Sequence, residues 1–191
     1  KGFLLGGTAG RTTLNGEGLQ HQDGHSHVLA STVPSLLSYD PAFGYELAII
    51  VREALRRMYV EQEDIFYYLT LYNENYLMPD MADVLARGAL TQDQLVQGVL
   101  DGGYCFDPAQ SEADIHLLAS GSILQEAIRA KAELQALGYE VSLWSMTSYV
   151  ELQRDAFAVA AANRQNPQAP AQVSKVEAMF DDASGAIIAV T

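Results

Sequence analysis

Histidines are concentrated in one short stretch of the sequence. His21, His25 and His27 lie within seven positions of one another, beside Glu17 and Asp23, on a glycine-rich segment that follows an apolar run. The imidazole group titrates near neutral pH and can exchange a proton with a bound substrate. This stretch is therefore the first candidate in the chain for catalytic chemistry.

The residues alone leave three interpretations of this stretch open. The first is a catalytic loop that closes over a substrate. The second is a metal site formed by His21, His25 and His27, with Asp23 as a further ligand, because histidines two and four residues apart on a loop can converge on a zinc-like ion. The third is a solvated polar loop with no chemistry of its own.

Composition excludes several classes of protein. Of the 191 residues, 49% are hydrophobic and 18% are charged, which fits a packed domain and argues against disorder. The formal net charge of −13 repels nucleic acid and anionic membranes. No apolar run has the length of a membrane span. The single cysteine, Cys105, favours a reducing, cytoplasmic compartment and a structural use for the thiol.

Apolar periodicity and capping residues predict the elements that position the histidines. The long polar segment 8–27 is expected to be a functional loop. The predicted elements before residue 104 are strands at 3–5, 35–39 and 65–71, a helix at 41–58 capped by Asp40, and one or two short helices between 81 and 103, the second capped by Thr91 with Gln94.

The second half of the sequence predicts a parallel sheet. Strand 115–119, a helix begun by Ser122 with Gln125 and ended by Gly138, and strand 141–146 make a βαβ unit. Further predicted elements are helix 151–162, a helical turn at 175–180 and strand 186–190. The apolar runs at both ends of the chain predict strands buried on both faces, so the chain is expected to be a segment of a larger protein.

The glycine-rich loop also carries a family resemblance. The sequence from Gly6 to His27 is similar to the homodimeric pyruvate dehydrogenase E1 components of bacterial 2-oxo acid dehydrogenase complexes. The resemblance covers nearly the whole chain in the same order, with a poor match at 83–103. Its further motifs are Ser38-Tyr39-Asp40-Pro41-Ala42, Tyr45-Glu46, Asn73-Glu74-Asn75-Tyr76 with Met78-Pro79, Leu118-Ala119-Ser120-Gly121-Ser122-Ile123-Leu124, and Thr147-Ser148-Tyr149 with Glu151-Leu152 and Arg154-Asp155.

This resemblance implies an α/β fold with parts of two doubly wound, mostly parallel-sheet domains. Residues 1–104 would be the second half of a thiamine-diphosphate pyrimidine-binding (middle) domain, residues 105–112 a linker, and residues 113–191 the first half of a transketolase-like C-terminal domain. Thiamine diphosphate and Mg²⁺ would be bound mainly by parts of the enzyme that this chain lacks, so the isolated piece would be inactive. The implied partners are a second copy in a homodimer, the E2 dihydrolipoyl acetyltransferase and pyruvate.

The resemblance also implies roles for residues of the loop. His21 would be the catalytic residue that contacts substrate near the thiazolium ring. Glu17 and Gln20 would orient it, while Gly16 and Gly18 would let the backbone bend close to the cofactor. No metal ligand is implied.

The remaining aromatic and histidine residues are expected to be structural. His25 and His27 would order the loop or its entry, and His116 and Trp144 would lie in the core. The alternative functions are a catalytically inactive binding module of the same fold, or a transketolase-type ketol transferase.

Overall fold

Two β-sheets organise the protein, in a computed structural model that describes residues 1–8, 23–181 and 183–190. The first sheet contains β1 (Phe3–Thr8), β2 (Leu36–Tyr39) and β3 (Phe66–Tyr72) in the order β1-β3-β2, and both pairings are parallel. The aromatic and β-branched side chains of β3 suit this central position.

The second sheet has four strands in the order β4-β6-β5-β7. They are β4 (Tyr104–Asp107), β5 (Ile115–Ala119), β6 (Val141–Ser145) and β7 (Ala186–Val190). Strands β6, β5 and β7 are parallel, and β4 runs antiparallel to β6 at the edge. Parallel pairing in both sheets confirms the predicted α/β class.

Seven α-helices in the described residues connect and cover these strands. They are α1 (Ser26–Ser31), α2 (Gly44–Leu55), α3 (Met81–Gly88), α4 (Gln92–Asp101), α5 (Leu124–Ala136), α6 (Tyr149–Gln165) and α7 (Lys175–Met179). A π-helical turn, Arg56–Val60, extends α2. None of the helices that the structure describes combines the length and the apolar character needed to cross a membrane.

The predicted βαβ unit is confirmed. Strands β5 and β6 pair in parallel, with Ile115 opposite Val141, and α5 connects them. Helix α5 is followed by Gly138 at φ +94, in the left-handed region that ends helices. The predicted capping box of α4 is also confirmed, because Thr91 Oγ1 accepts from the Gln94 amide at 3.2 Å and the Thr91 amide donates to Gln94 Oε1 at 2.9 Å.

Two predicted helix starts were wrong. Helix α2 begins at Gly44 instead of residue 41, and the Glu46 carboxylate, not Asp40, accepts from the free amides of Ala42 and Phe43 at 2.6 and 3.1 Å. Helix α5 begins at Leu124, after a 3₁₀ turn at Gly121–Ile123, instead of directly after Ser122, and its N-cap residue Ile123 makes no side-chain capping bond. Asp40 and Ser122, the polar residues predicted to begin these helices, are both buried.

The terminal strands form where they were predicted, but they are not buried on both faces. Leu4 and Leu5 in β1 are 52% and 60% exposed, and Ile187 and Ile188 in β7 are 51% and 44% exposed. Each strand pairs with a single described neighbour and lies at the edge of its sheet. The apolar runs therefore predicted the positions of both strands correctly. The described residues do not cover the exposed aliphatic side chains of these strands.

The segment predicted as a linker, 105–112, contains part of a strand. Cys105 pairs with Trp144 and Asp107 with Leu143, with a register shift between the two pairs. A β-bulge of this kind suits an edge strand that must bend to enter the sheet. The chain therefore joins the second sheet before residue 113, and the exact domain bounds stay a prediction.

One hydrophobic core joins the two sheets. It includes Leu69 of β3 and Leu143 of β6, both fully buried, together with Phe43 and Phe106. The rings of Phe43 and Phe106 stack with their centroids 5.2 Å apart. Because apolar side chains from both sheets exclude water from the same core, the sheets are held in a fixed relation, and polar groups at their junction are buried.

Candidate functional site

A cavity of about 370 Å³ lies between the two sheets, where parallel strands end. Ser38 and Asp40 come from the end of β2, Ser120 follows β5, and Ser148 precedes α6. His27 of α1 forms part of the wall. The carboxyl ends of parallel strands are where open α/β sheets bind ligands, so this cavity is the candidate site of the described residues.

His27 is held by hydroxyl groups of both strands beneath it. Its Nδ1 atom lies 2.5 Å from Ser38 Oγ, and its Nε2 atom lies 3.3 Å from Thr70 Oγ1. The imidazole ring also lies edge-on to Tyr68, with the ring centroids 5.3 Å apart. The start of α1 is thereby fastened to β2 and β3.

Asp40 connects the two sheets through both carboxylate oxygens. Thr70 donates to Oδ1 at 2.5 Å, Tyr72 donates to the same oxygen, and Ser120 donates to Oδ2 at 2.6 Å. Its backbone amide donates to the Thr147 carbonyl at 2.7 Å. A buried carboxylate needs several donors, and here the donors come from β3 and from Ser120, directly after β5.

Asp23 lies at the cavity rim, where the described chain resumes. Its Oδ1 atom accepts from the Ser26 amide at 3.1 Å, and its Oδ2 atom lies 3.4 Å from the Tyr68 hydroxyl. Burial alone would raise the pKa of Asp23, but hydrogen bonds from Ser26 and the nearby His27 outweigh it and hold the pKa below its ordinary value. Asp23 is therefore an anionic group at neutral pH.

Gly121 lies where the second sheet meets Asp40. Its φ is +52, and an added Cβ would lie 2.4 Å from the Tyr72 hydroxyl oxygen and 2.7 Å from Asp40 Oδ1. We expect Gly121→Ala to lower the free energy of unfolding by about 2–4 kcal/mol, because steric conflict adds to left-handed strain. Gly138→Ala is the matched control, with φ +94 and open space around it, and should cost about 1 kcal/mol. Equal losses in chemical denaturation would contradict the steric argument.

Glu46 is a second buried carboxylate at the junction of the sheets. Its Oε1 atom accepts from the Tyr104 hydroxyl at 2.6 Å and from the Ser145 hydroxyl at 2.7 Å. Burial raises the pKa of Glu46, and the hydrogen bonds from Tyr104, Ser145 and two backbone amides only partly oppose that rise. Glu46 lies within the core, does not line the cavity, and has a structural role.

The site residues predicted from the sequence lie outside the described part of the chain. Gly16, Glu17, Gly18, Gln20 and His21 all fall within residues 9–22. The residues that flank that segment are described: Thr8 ends β1, and Asp23 lines the cavity. The assignments to these five residues therefore stay predictions.

The metal interpretation is not decided by the structure, because His21 is one of its ligands. Of the other two histidines, His25 precedes α1 and is exposed, while both ring nitrogens of His27 face hydroxyl groups. Among residues 1–8, 23–181 and 183–190, no group of three histidine, cysteine or acidic side chains is arranged to hold a metal ion.

The prediction that His116 is a satisfied core histidine is confirmed. Its Nε2 atom lies 2.9 Å from the Ser184 carbonyl, and the Trp144 indole N–H donates to Nδ1 at 3.3 Å. Because the carbonyl can only accept and the indole can only donate, His116 carries its proton on Nε2. It belongs to a small aromatic cluster in which Trp144 and Phe180 have ring centroids 4.8 Å apart.

Cys105 is half-buried in β4, and burial raises the pKa of its thiol from 9.0 to about 11. This rise leaves the reactive thiolate roughly 100-fold scarcer near pH 8 than in the unfolded chain. We expect a thiol reagent such as 5,5′-dithiobis(2-nitrobenzoate) to modify the native Cys105 at least 100-fold more slowly than the same protein in denaturant. Equal rates would contradict a structural thiol.

Sequence reasoning missed most of the polar groups around the cavity. Asp40 was interpreted as a helix cap, and Ser38, Thr70 and Ser120 were not assigned to a site. A usable signal was present, because Ser38 and Ser120 lie at or directly after predicted strand ends. Which strand ends adjoin one another was not visible, since the two sheets are contributed by distant parts of the chain.

Comparison with known protein families gives matches to both halves of the chain. Residues 1–79 match the pyruvate dehydrogenase E1 component middle domain, and residues 102–191 match the transketolase-like C-terminal domain. Among solved structures, transketolase from Campylobacter jejuni superposes with a TM-score of 0.59 over 99% of this chain and 27% of that chain. At 17% identity, that likeness supports the fold alone.

Curated relatives match over the full length of this chain. The pyruvate dehydrogenase E1 component of Pseudomonas aeruginosa is 48% identical over 193 aligned positions, which are 100% of this chain and 21% of that protein. The corresponding protein of Escherichia coli K12 is 44% identical, over 96% of this chain and 20% of its own length. The chain thus spans about a fifth of the length of these relatives. The continuous identity, and the two domain matches in the same order, show that the chain belongs to the pyruvate dehydrogenase E1 component family.

Proposed function

We propose that this chain forms part of a pyruvate dehydrogenase E1 component. The complete enzyme would decarboxylate pyruvate oxidatively with thiamine diphosphate and Mg²⁺ and transfer the acetyl group to the lipoyl group of E2. The observation that carries this proposal is the 48% identity to the Pseudomonas aeruginosa relative, which covers the whole of this chain. The isolated chain would lack this activity.

The glycine-rich loop is proposed to carry the substrate contact. His21 would donate a hydrogen bond or a proton to an oxygen of the substrate, where charge changes during decarboxylation. Glu17 and Gln20 would orient His21, and Gly16 and Gly18 would allow a close backbone approach. The loop connects the carboxyl end of β1 to α1, so its two ends lie on the side of the sheet that suits ligand binding.

The described cavity does not fit a diphosphate–magnesium group. Its ionisable side chains are Asp23, Asp40 and His27, and the two carboxylates would repel a diphosphate. Both Asp40 oxygens already accept hydrogen bonds from neighbouring hydroxyls, so they are poorly placed to take a metal ion as well. The cofactor is therefore proposed to bind mainly to parts of the enzyme outside this chain.

The proposed assembly is a homodimer in the bacterial cytoplasm that acts with the E2 dihydrolipoyl acetyltransferase. Within it, residues 1–104 would complete a pyrimidine-binding domain, residues 105–112 would link the domains, and residues 113–191 would begin the C-terminal domain. The exposed aliphatic side chains of the edge strands β1 and β7 support this arrangement, because further protein is needed to cover them.

The test is the reductive acetylation of a free lipoyl domain by the native polypeptide that contains this chain. We expect acetyl-lipoyl product that requires pyruvate, thiamine diphosphate and Mg²⁺ together. Omission of each component in turn is the control. Ketol transfer from a ketose phosphate without pyruvate turnover would favour the transketolase-type alternative, and the absence of both reactions would favour an inactive binding module.

A further inference from the structure

A continuous hydrogen-bonded series runs from α1, across the first sheet, to the second sheet. It begins at His27, whose Nε2 atom faces Thr70 Oγ1, and continues from the Thr70 hydroxyl to Asp40 Oδ1 at 2.5 Å. It ends where Ser120 donates to Asp40 Oδ2 at 2.6 Å. Ser120 and Asp40 are 80 residues apart in sequence, so the series couples remote parts of the chain.

The hydrogen atoms along this series can be assigned. A threonine hydroxyl has one hydrogen, and the Asp40 carboxylate is its strongest nearby acceptor. The competing Tyr39 carbonyl is farther away, at 3.4 Å. Thr70 can then only accept from His27, which must carry a proton on Nε2. The charge of Asp40 thus orients Thr70, and Thr70 orients the imidazole of His27.

His27 in turn fixes the point at which the chain leaves the loop. It is the second residue of α1, and Asp23, four residues earlier, is held by the Ser26 amide at 3.1 Å and by the Tyr68 hydroxyl at 3.4 Å. Residues 23–27 are therefore attached to β2 and β3 at several points. His21 lies two residues before Asp23 in the sequence, so this attachment adjoins the predicted catalytic histidine along the chain.

We propose that Asp40 is a positioning residue, which acts through Thr70 on His27 and through Ser120 on the second sheet to hold the exit of the glycine-rich loop. The inference rests on the proposed function, because it takes the loop to contribute to turnover through the contact between His21 and substrate. Asp40 itself contacts neither substrate nor cofactor in this account. Its effect on turnover passes through hydrogen-bond geometry, and a misplacement of about 1 Å at a reacting group can cost about 100-fold in rate.

The decisive variants are Thr70→Val and Thr70→Ser in the native polypeptide. Valine has nearly the shape of threonine but lacks the hydroxyl, whereas serine keeps the hydroxyl and loses the methyl group. We expect Thr70→Val to lower kcat for pyruvate by about 10- to 100-fold, with little change in the affinity for thiamine diphosphate. Thr70→Ser should restore most of the activity, and Asp40→Asn should resemble Thr70→Val.

A second measurement separates positioning from general stability. In hydrogen exchange followed by mass spectrometry, Thr70→Val and Asp40→Asn should speed exchange in α1 (Ser26–Ser31) by about tenfold, the usual value of one hydrogen bond to a charged group. Exchange in α4 (Gln92–Asp101) should stay unchanged. Asp64→Asn, the same substitution at an exposed position before β3, is the matched control and should change neither readout.

The outcomes distinguish this inference from the proposed function. Equal loss of activity in Thr70→Val and Thr70→Ser would overturn the inference, because volume and not the hydroxyl would then matter. Uniformly faster exchange in α1 and α4, with kcat intact, would also overturn it, because Asp40 would then be a structural link only. A wild-type polypeptide without pyruvate turnover would defeat the proposed function, while selective loosening of α1 would still support the coupling itself.

Discussion

Replacement of His21 by alanine is expected to lower the turnover of pyruvate by about 10²- to 10⁴-fold in the native polypeptide, the range for removal of a proton-transferring side chain. The affinity for thiamine diphosphate should change little, because the cofactor is proposed to bind mainly to other parts of the enzyme. The loss should therefore fall on kcat more than on cofactor binding, and steady-state kinetics with cofactor titration measures both.

His25→Ala is the matched control for this experiment. His25 lies four residues after His21, is exposed, and makes no side-chain capping bond to α1. Its replacement should leave turnover within about twofold of the wild type, since substitutions at exposed positions away from specific contacts have small effects. Unchanged turnover in His21→Ala, or an equal loss in His25→Ala, would defeat the assignment of His21.

The elements that the sequence predicted well are those specified by neighbouring residues. The central strand β3 combines aromatic and β-branched residues, and the box of Thr91 with Gln94 caps α4 through side chains three positions apart. The βαβ unit that ends near Ser145 follows from the helical period and from Gly138. Such local signals need no knowledge of the rest of the fold.

One prediction that failed concerns a polar residue whose partners are remote in sequence. Asp40 precedes a proline and a helix, which is the usual setting of a helix cap. Its carboxylate instead accepts from Thr70, Tyr72 and Ser120, which lie 30, 32 and 80 residues further along the chain. Nothing in the local sequence specifies these partners, because they depend on how the two sheets pack together.

The candidate site was predicted in part for the same reason. The loop that carries His21 has a distinctive composition and a family resemblance, so it could be singled out from sequence. The cavity lined by Ser38, Asp40 and Ser120 could not be predicted, since it requires the ends of β2, β3 and β5 to meet. In the sequence, Ser38 and Ser120 could be recognised only as separate residues at the ends of two strands, and not as parts of one site.

Glu46→Ala is expected to lower the free energy of unfolding by about 3–5 kcal/mol, because it removes the shared acceptor of a buried hydrogen-bond network. The side chain is fully buried and accepts from the amides of Ala42 and Phe43 and from the hydroxyls of Tyr104 and Ser145. Alanine would leave these donors without their acceptor between the two sheets. Each unsatisfied buried donor costs about 1–3 kcal/mol before the structure relaxes.

Glu53→Ala, on the same helix, is the matched control. Its carboxylate pairs with Arg56 at the surface, at 2.7 Å, and the Arg56 side chain is 50% exposed. Exposed pairs of this kind contribute about 1 kcal/mol or less. Chemical denaturation of both variants should therefore give a much larger loss for Glu46→Ala, and similar losses would contradict the role of Glu46 as a link between the sheets.

The pH dependence of stability provides an independent test of Glu46. Because burial raises its pKa in the folded protein above the ordinary value of 4.5, the folded state retains a proton that the unfolded chain releases. The stability that Glu46 contributes is then fully present below pH 4.5 and decreases as the pH rises through the native pKa. Glu46→Gln cannot ionise, so this decrease should be missing from its denaturation curves measured upward from pH 4.5. An identical slope in the wild type and in Glu46→Gln would mean that the four donors keep Glu46 ionised in the fold, and hydrogen bonding would then outweigh burial at this position.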